Sequence, residues 1–158
     1  TGLSGPGRPW SGAVRDAILG VELVNGKGEY LKFGGQVMKN VAGYDVSRLQ
    51  AGAWGNLGVL ASISIRVHPV WQDQCTLVFQ MSAEQAQQKC LRLAQQNLPL
   101  QGSCWQDGVL SLRLGGHASG VAGAKLALSG EVLQGGIDLE YWANLRDHKA
   151  DFFQQQLS

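Results

Sequence analysis

Apolar and polar residues alternate with a period of two in several short runs of this chain, and in two longer stretches they recur with a helical period. The first alternating run is Val21-Glu22-Leu23-Val24, then Asn25-Gly26-Lys27-Gly28, then Tyr30-Leu31-Lys32-Phe33. Two β-rich runs joined by Asn-Gly predict a hairpin, because both turn residues tolerate the positive φ that a tight right-twisted turn demands. A second run, Ala61 to Val67, puts Ile63, Ile65 and Val67 on one face and Ser62, Ser64 and Arg66 on the other. His68-Pro69 ends it, since proline cannot donate to a ladder. Residues 1–12 read as loop, and residues 13–19 as one helical turn or an irregular bridge. Residues 35–50 read as loop followed by one or two helical turns from near Asp45, with Asp45 or Ser47 as the cap.

The pattern changes near residue 71. Cys75–Met81 predicts a strand, and residues 83–97 a Gln-rich amphipathic helix with Ala86, Cys90, Leu93 and Ala94 on one face. Ser82 and Gln85 have the spacing of a capping box at its start. Leu100–Trp105 and Val109–Leu114 read as strands around Gln106-Asp107-Gly108. Residues 116–130 read as a small-residue helix and 139–153 as a second amphipathic one. The order β-α-β-β-α is most of a ferredoxin-like unit without its final strand. The expected fold class is α+β, with a β-rich segment at 1–70 and a partial ferredoxin-like segment at 71–158.

Composition narrows the function. At 158 residues the chain can bury a core, and 13 Lys plus Arg against 12 Asp plus Glu leave a formal charge of +1. No basic field is available for a nucleic-acid backbone. No apolar run approaches the roughly 20 residues of a membrane span. Cys75, Cys90 and Cys104 are an odd set with neither a CxxC pair nor a nearby histidine, which argues against a disulfide framework or a structural zinc. Free thiols imply a reducing, cytoplasmic setting. The 22 glycines are the outlier, about double the usual ~7% share. They suit tightly packed turns or a backbone surface that touches a ligand. A start inside a loop and an end inside a helix read as a piece excised from a longer chain.

Candidate chemistry is sparse. Residues 4–20 (SGPGRPWSGAVRDAILG) form a glycine-dense loop whose N–H groups could face a diphosphate or a heterocycle, or could be an ordinary tight loop. It is neither a Walker loop nor a dinucleotide fingerprint. Arg15 and Asp16 are expected to pair and pin this loop. In residues 39–60, Lys39 and Tyr44 are conceivable proton-transfer groups, but glycines such as Gly55 and Gly58 read better as places where backbone runs close to a flat ligand or a facing strand. His68, His117 and His148 lack metal-ligand spacing, and no serine sits in a Gly-x-Ser-x-Gly setting. The five tryptophans suit core and interface packing.

Taken in order, Gly12-Ala13-Val14-Arg15-Asp16-Ala17-Ile18-Leu19-Gly20, the Asn25-Gly26 turn, Gly43-Tyr44-Asp45-Val46-Ser47-Arg48-Leu49 and Gly55-Asn56-Leu57-Gly58-Val59-Leu60 resemble the second half of the FAD-binding domain in the vanillyl-alcohol-oxidase/p-cresol-methylhydroxylase (PCMH) type of flavoproteins. Within that group, Ser4-Gly5-Pro6 with Arg8-Pro9-Trp10, the string from Phe33 to Asp45, and Trp142-x-x-Leu145-Arg146-Asp147 leading to Phe152-Phe153 resemble the FAD-binding subunits of glycolate oxidases.

The resemblance implies a second PCMH-type subdomain at 1–70, without the first, followed by a partial ferredoxin-like cap. It implies FAD near Gly5, Ser11, Gly12 and Val14, with Gly58 and Val59 against the adenine end. It also implies a catalytic flavin subunit and an iron–sulfur subunit as partners, glycolate or a similar 2-hydroxy acid as substrate, and allows peripheral membrane association through the complex. The family's catalytic paralogue has Gly-Ser-Glu-Gly-Thr-Leu-Gly where this chain has Gly52-Ala53-Trp54-Gly55-Asn56-Leu57-Gly58. That departure favours a supporting or electron-relaying subunit, and no catalytic side chain is assigned. Half of a cradle is expected to hold FAD weakly or not at all. The alternatives are an assembly platform of the same complex and a stand-alone D-2-hydroxy-acid dehydrogenase.

Overall fold

A computed structural model of the chain describes residues 4–35, 43–133 and 137–154. Lys39 and most of the glycine-rich string after Phe33 (residues 36–42) lie outside them. Helices and antiparallel sheets make the molecule α+β. Two compact units divide it: residues 1–4 with 12–69, and residues 5–11 with 70–158. Arg8–Ser11 form a helical turn, α1, where the sequence predicts loop.

In the first unit a helical turn, α2 (Val14–Ala17), leads into β1 (Ile18–Val24). β2 (Tyr30–Gly34), a turn α3 (Val46–Leu49) and β3 (Val59–Ile65) follow. The sheet order is β2-β1-β3, antiparallel throughout. The predicted hairpin is present. Its turn is organised by Asn25, whose Oδ1 accepts the N–H groups of Lys27 (2.9 Å) and Glu29 (3.0 Å), while Gly28 takes a φ of +76°. Asp45 is the α3 cap, accepting the Arg48 N–H at 3.0 Å.

Alternation sorts the two faces of this sheet. Val21 stands opposite Phe33 and Leu23 opposite Leu31, and with Ile18 and Ala51 they form a small apolar core. On the reverse face Glu22 bonds Lys32 at 2.8 Å and accepts the Tyr30 hydroxyl at 2.5 Å. Lys32 and Tyr30 together hold the Glu22 carboxyl below the usual carboxylate range. β3 differs from β1. Ile63 and Ile65 stand opposite Val21 and Ile18, yet remain 49% and 58% exposed. The helical turn α3 packs on β1 and β2, and among the described residues nothing comparable covers β3.

The second unit runs β4 (Asp73–Gln80), α4 (Ala83–Leu93), β5 (Leu100–Gln106), β6 (Val109–Gly116), α5 (Ala118–Leu128), β7 (Glu131–Val132), α6 (Ile137–Arg146) and α7 (Asp151–Gln154). Its antiparallel sheet has the order β5-β6-β4-β7. One face carries Cys75, Leu77, Leu100, Leu110, Leu112 and Leu114, packed against Ala86 and Leu93 of α4 and Val121 and Ala124 of α5. On the opposite face Trp142 of α6 donates its indole N–H to the Thr76 hydroxyl at 2.7 Å, in a buried setting.

The capping box forms as predicted: the Gln85 N–H donates to Ser82 Oγ at 3.3 Å and the Ser82 N–H to Gln85 Oε1 at 3.0 Å. Asp107 and Gly108 take φ values of +50° and +84°, the pair of positive values that a two-residue hairpin turn prefers. Beyond shifts of about two residues at strand and helix ends, the structure departs from the sequence reading in three ways. α4 ends at Leu93 rather than residue 97. The expected helix over 139–153 breaks at His148, whose φ of +55° takes the chain out of the right-handed helix. Last, β7 supplies a strand after α5 that the sequence reading did not place.

Candidate cofactor-facing site

Two glycine turns of the first unit contain four of the six residues implicated by resemblance. The first is Gly12–Ala17. Gly12 has a φ of +80°, and Asp16 closes the turn: its Oδ2 accepts the Ala13 N–H at 2.8 Å while its own N–H donates to the Ala13 carbonyl at 2.9 Å. Arg15 and Asp16 are both exposed. Asp16 thus fixes the Gly12–Ala17 turn by capping it, and among the described residues the Arg15–Asp16 pair expected from the sequence is not formed. Val14 opens α2 with its side chain 54% exposed.

The second turn is Gly55–Val59. Gly55 has a φ of +79° and open space where a Cβ would stand. Gly58 has a φ of +143°, and a Cβ there would lie 2.6 Å from the Val24 carbonyl oxygen, so glycine is required for the strand to begin. Val59 then pairs with Val24 and keeps 71% of its surface exposed. Gly12 and Val14 thus precede the start of β1, and Gly58 and Val59 flank its end. Seven residues of strand separate the two pairs by about 20 Å at ~3.3 Å per residue.

Gly5 and Ser11 are placed differently, packed with the second unit. A Cβ on Gly5 would meet the Arg146 Cα at 3.3 Å, and the Ser11 hydroxyl donates to Gln101 Oε1 at 3.3 Å. The structure thus places the six residues in three groups.

Other singled-out groups have local roles. Tyr44 is almost fully exposed, and the adjacent Asp45 pairs with Arg48 at 3.2 Å on the surface. His117 caps α5 through Ser119, and His148 stacks on Phe153 with centroids 4.4 Å apart. Cys75, Cys90 and Cys104 are free thiols. Burial pushes the Cys90 and Cys104 thiols up. Both border an apolar cleft of about 230 Å³ beside Ala86, Ser103, Trp105 and Leu110. Tyr141 is pushed up to about 12, chiefly by burial. Among the described residues no group of three or more His, Cys, Asp or Glu could hold a metal ion, and no helix is long and apolar enough to cross a membrane.

Sequence reasoning missed Trp54. It takes a left-handed φ of +54° and is 74% exposed, and Leu57, Leu60, Ile63 and Ile65 are exposed too. The signal in the sequence is a tryptophan set between glycines, Gly52 and Gly55.

No protein-family model matches the chain. Individual proteins do. The chain is 43% identical over 152 residues to glycolate oxidase subunit GlcE of Escherichia coli (strain K12), covering 96% of this chain and 42% of that protein. It is 36% identical over 67 residues to glycolate oxidase subunit GlcD of Bacillus subtilis (strain 168), covering 42% and 14% respectively. It is 33% identical over 67 residues to the mitochondrial D-lactate dehydrogenase [cytochrome] of Arabidopsis thaliana, covering 42% and 12%. The chain spans about two fifths of the length of GlcE and a smaller share of the other two. Over nearly its whole length, therefore, this chain is a relative of the glycolate oxidase subunit GlcE, as its residue patterns implied.

Proposed function

We propose that the polypeptide containing this chain is the FAD-binding subunit of a glycolate oxidase, acting in the cytoplasm with a catalytic flavin subunit and an iron–sulfur subunit to oxidise glycolate to glyoxylate. The observation that carries the reading is the 43% identity to GlcE across 96% of the chain. In this reading the first unit is the second subdomain of a PCMH-type FAD domain. The second unit is a ferredoxin-like cap, whose β-α-β-β-α-β order and β5-β6-β4-β7 sheet fit that motif. The shorter matches to GlcD and D-lactate dehydrogenase, 67 residues each, are about as long as the first unit.

The residues present fit an extended flavin dinucleotide better than a compact ligand. Gly12 and Val14 at one end of β1, and Gly58 and Val59 at the other, offer two separated stretches of small or apolar surface, and the open space at Gly55 admits a flat group against backbone. When bound, FAD would supply the redox chemistry. This chain's share is binding and orientation: Ala13 and Asp16 fix the first turn, Gly58 seats the second against Val24, and Val14 and Val59 present apolar side chains that exclude water. Gly5 and Ser11 belong to the second unit, and their part in FAD binding rests on the resemblance alone.

A second reading, an assembly platform of the same complex, is favoured by one observation. Trp54 stands exposed beside Gly55, where a flavin wall would be expected to stay small. The visible absorption spectrum of the full-length subunit, purified alone, decides. Flavin bands released as FAD on denaturation support the binder. A colourless protein that gains no bands with added FAD, yet still captures its partner subunits, sinks it in favour of the platform.

A further inference from the structure

The second unit has an opening of its own between α4 and the outer strand of its sheet. Ala83, Ala86, Gln87 and Cys90 recur at helical spacing along α4 and, with Ser103 to Trp105 of β5, border the apolar cleft of about 230 Å³. No charged side chain is among its lining residues, and burial raises the Cys90 thiol, which keeps it neutral. A cavity of about 150 Å³ holds a benzene ring, whereas sites for free ligands run to roughly 300–1,000 Å³. The cleft is therefore sized for one branched or aromatic side chain.

β5 pairs with β6 along one edge only. Successive residues of an antiparallel strand turn their N–H and C=O groups to opposite edges. The Ser103 N–H points outward, to the Pro6 carbonyl at 3.2 Å, and no bulge separates Ser103 from Trp105. The Trp105 backbone therefore faces outward too, where no loop or turn group among the described residues bonds it. The edge thus already takes a segment of chain at Ser103 and continues open beside the cleft. Trp105 stands opposite the buried Leu110, whose side chain packs in the core under α4, so a strand added here would send alternate side chains to the α4 face.

We propose that the outer edge of β5 at Trp105 and the cleft beside α4 together form a docking site for an extended, uncharged segment of another polypeptide, which adds to the edge as a strand and seats one Leu-, Met- or Phe-sized side chain between α4 and β5. Main-chain bonds along an edge supply affinity, and a side-chain cleft supplies choice. The single-side-chain volume, and the continuity with residues 5–11 on the adjoining part of the edge, favour a peptide over a free small molecule. FAD plays no part in it, so its outcome is independent of the flavin reading.

Thiol labelling and amide exchange on this chain test it, with a short peptide of threonines around a central phenylalanine as the probe. One control peptide carries lysine at the centre, and a second is fully N-methylated and cannot pair as a strand. At saturation the phenylalanine peptide should slow maleimide labelling of Cys90 and exchange of the Trp105 amide about three- to tenfold. The Leu112 amide of the central strand β6 should not move, and both controls should leave all rates at those of the free protein. Gln87→Phe, at an exposed position on the cleft rim, should fill the cleft and abolish both effects while Leu112 exchange stays slow. Equal protection by the N-methylated peptide would overturn the strand pairing, and equal protection by the lysine peptide would overturn the apolar seat. Gln87→Phe that retains both effects would move the site away from the cleft. No protection up to the solubility limit of the peptide would overturn the docking site altogether. Protection that grows with protein concentration in the absence of peptide, with a dimer on a sizing column, would make a second copy the occupant and overturn the partner assigned here.

Discussion

Replacing Gly58 by alanine should destabilise the first unit by about 3 kcal/mol, with two other glycines as internal references. At Gly58 two costs combine. Its φ of +143° lies where L residues are rarely found, which costs about 1–3 kcal/mol when forced. The added Cβ would stand 2.6 Å from the Val24 carbonyl oxygen, so the first pair of the β1–β3 ladder must shift, at about 1 kcal/mol for a weakened backbone hydrogen bond. Gly55 has a φ of +79° but open space, so Gly55→Ala should cost only the left-handed penalty of about 1–2 kcal/mol. Gly26 has neither problem, and Gly26→Ala should fall within about 0.5 kcal/mol of wild type. Because two units unfold here, the assay is native-state exchange at Val21 and Leu23, which sit in the first unit's core. Equal losses for Gly58→Ala and Gly55→Ala would show that the close approach to Val24 contributes nothing, and a Gly58→Ala protein as stable as Gly26→Ala would refute the reasoning outright.

Three further outcomes follow from packing and ionisation. Leu112→Ala, at a side chain with no exposed surface in the second core, should cost about 2–5 kcal/mol in urea unfolding. A loss below about 1 kcal/mol would contradict the assigned core. Tyr141 should stay protonated until near pH 12, against about 10 for an ordinary tyrosine. Its folded value is raised, so its contribution to stability is complete below pH ~10 and is lost as pH rises through about 12. Alkaline absorbance titration of wild type against Tyr141→Phe should show one phenol fewer in that high window. Ile63→Thr with Ile65→Thr removes two half-exposed apolar side chains from β3. It should shift any self-associated chain toward monomer on a sizing column, with less than about 1 kcal/mol change in stability. An unchanged elution profile in a protein that does self-associate would show that β3 is not the contact.

Much of the second unit was legible because its signals are local. Ser82 and Gln85 declare a helix start at fixed spacing, Asp107-Gly108 declares a turn, and Leu110, Leu112 and Leu114 alternate over a strand long enough to show it. β7 escaped because two residues cannot display a period, and its pairing to Leu77 and Val78 is a tertiary event. The end of α4 was misplaced because glutamines after Leu93 continue a helix by propensity alone, whereas the buried face has already ended. In the first unit the alternation of β3 was legible, but whether its apolar face is buried was not, since that depends on what packs above the strand. The site was the least legible part. Gly12 and Gly58 could be picked out as glycines, but that Gly5 packs against Arg146 and Ser11 bonds β5, ninety residues away, is written in no local pattern.

That last pairing sets a timetable for synthesis. Trp10 and Ser103 are hydrogen-bonded yet 93 residues apart in sequence, and a ribosome adding roughly 5–20 residues per second would leave residues 5–11 waiting about 5–20 s for β5. During that interval an indole and a glycine-rich stretch emerge with nothing to hold, while the hairpin of β1 and β2 can already close within its own short contour. The unit at the far end of the chain therefore completes itself last and from both directions, and mutations that slow the closing of this long loop should act first on folding yield.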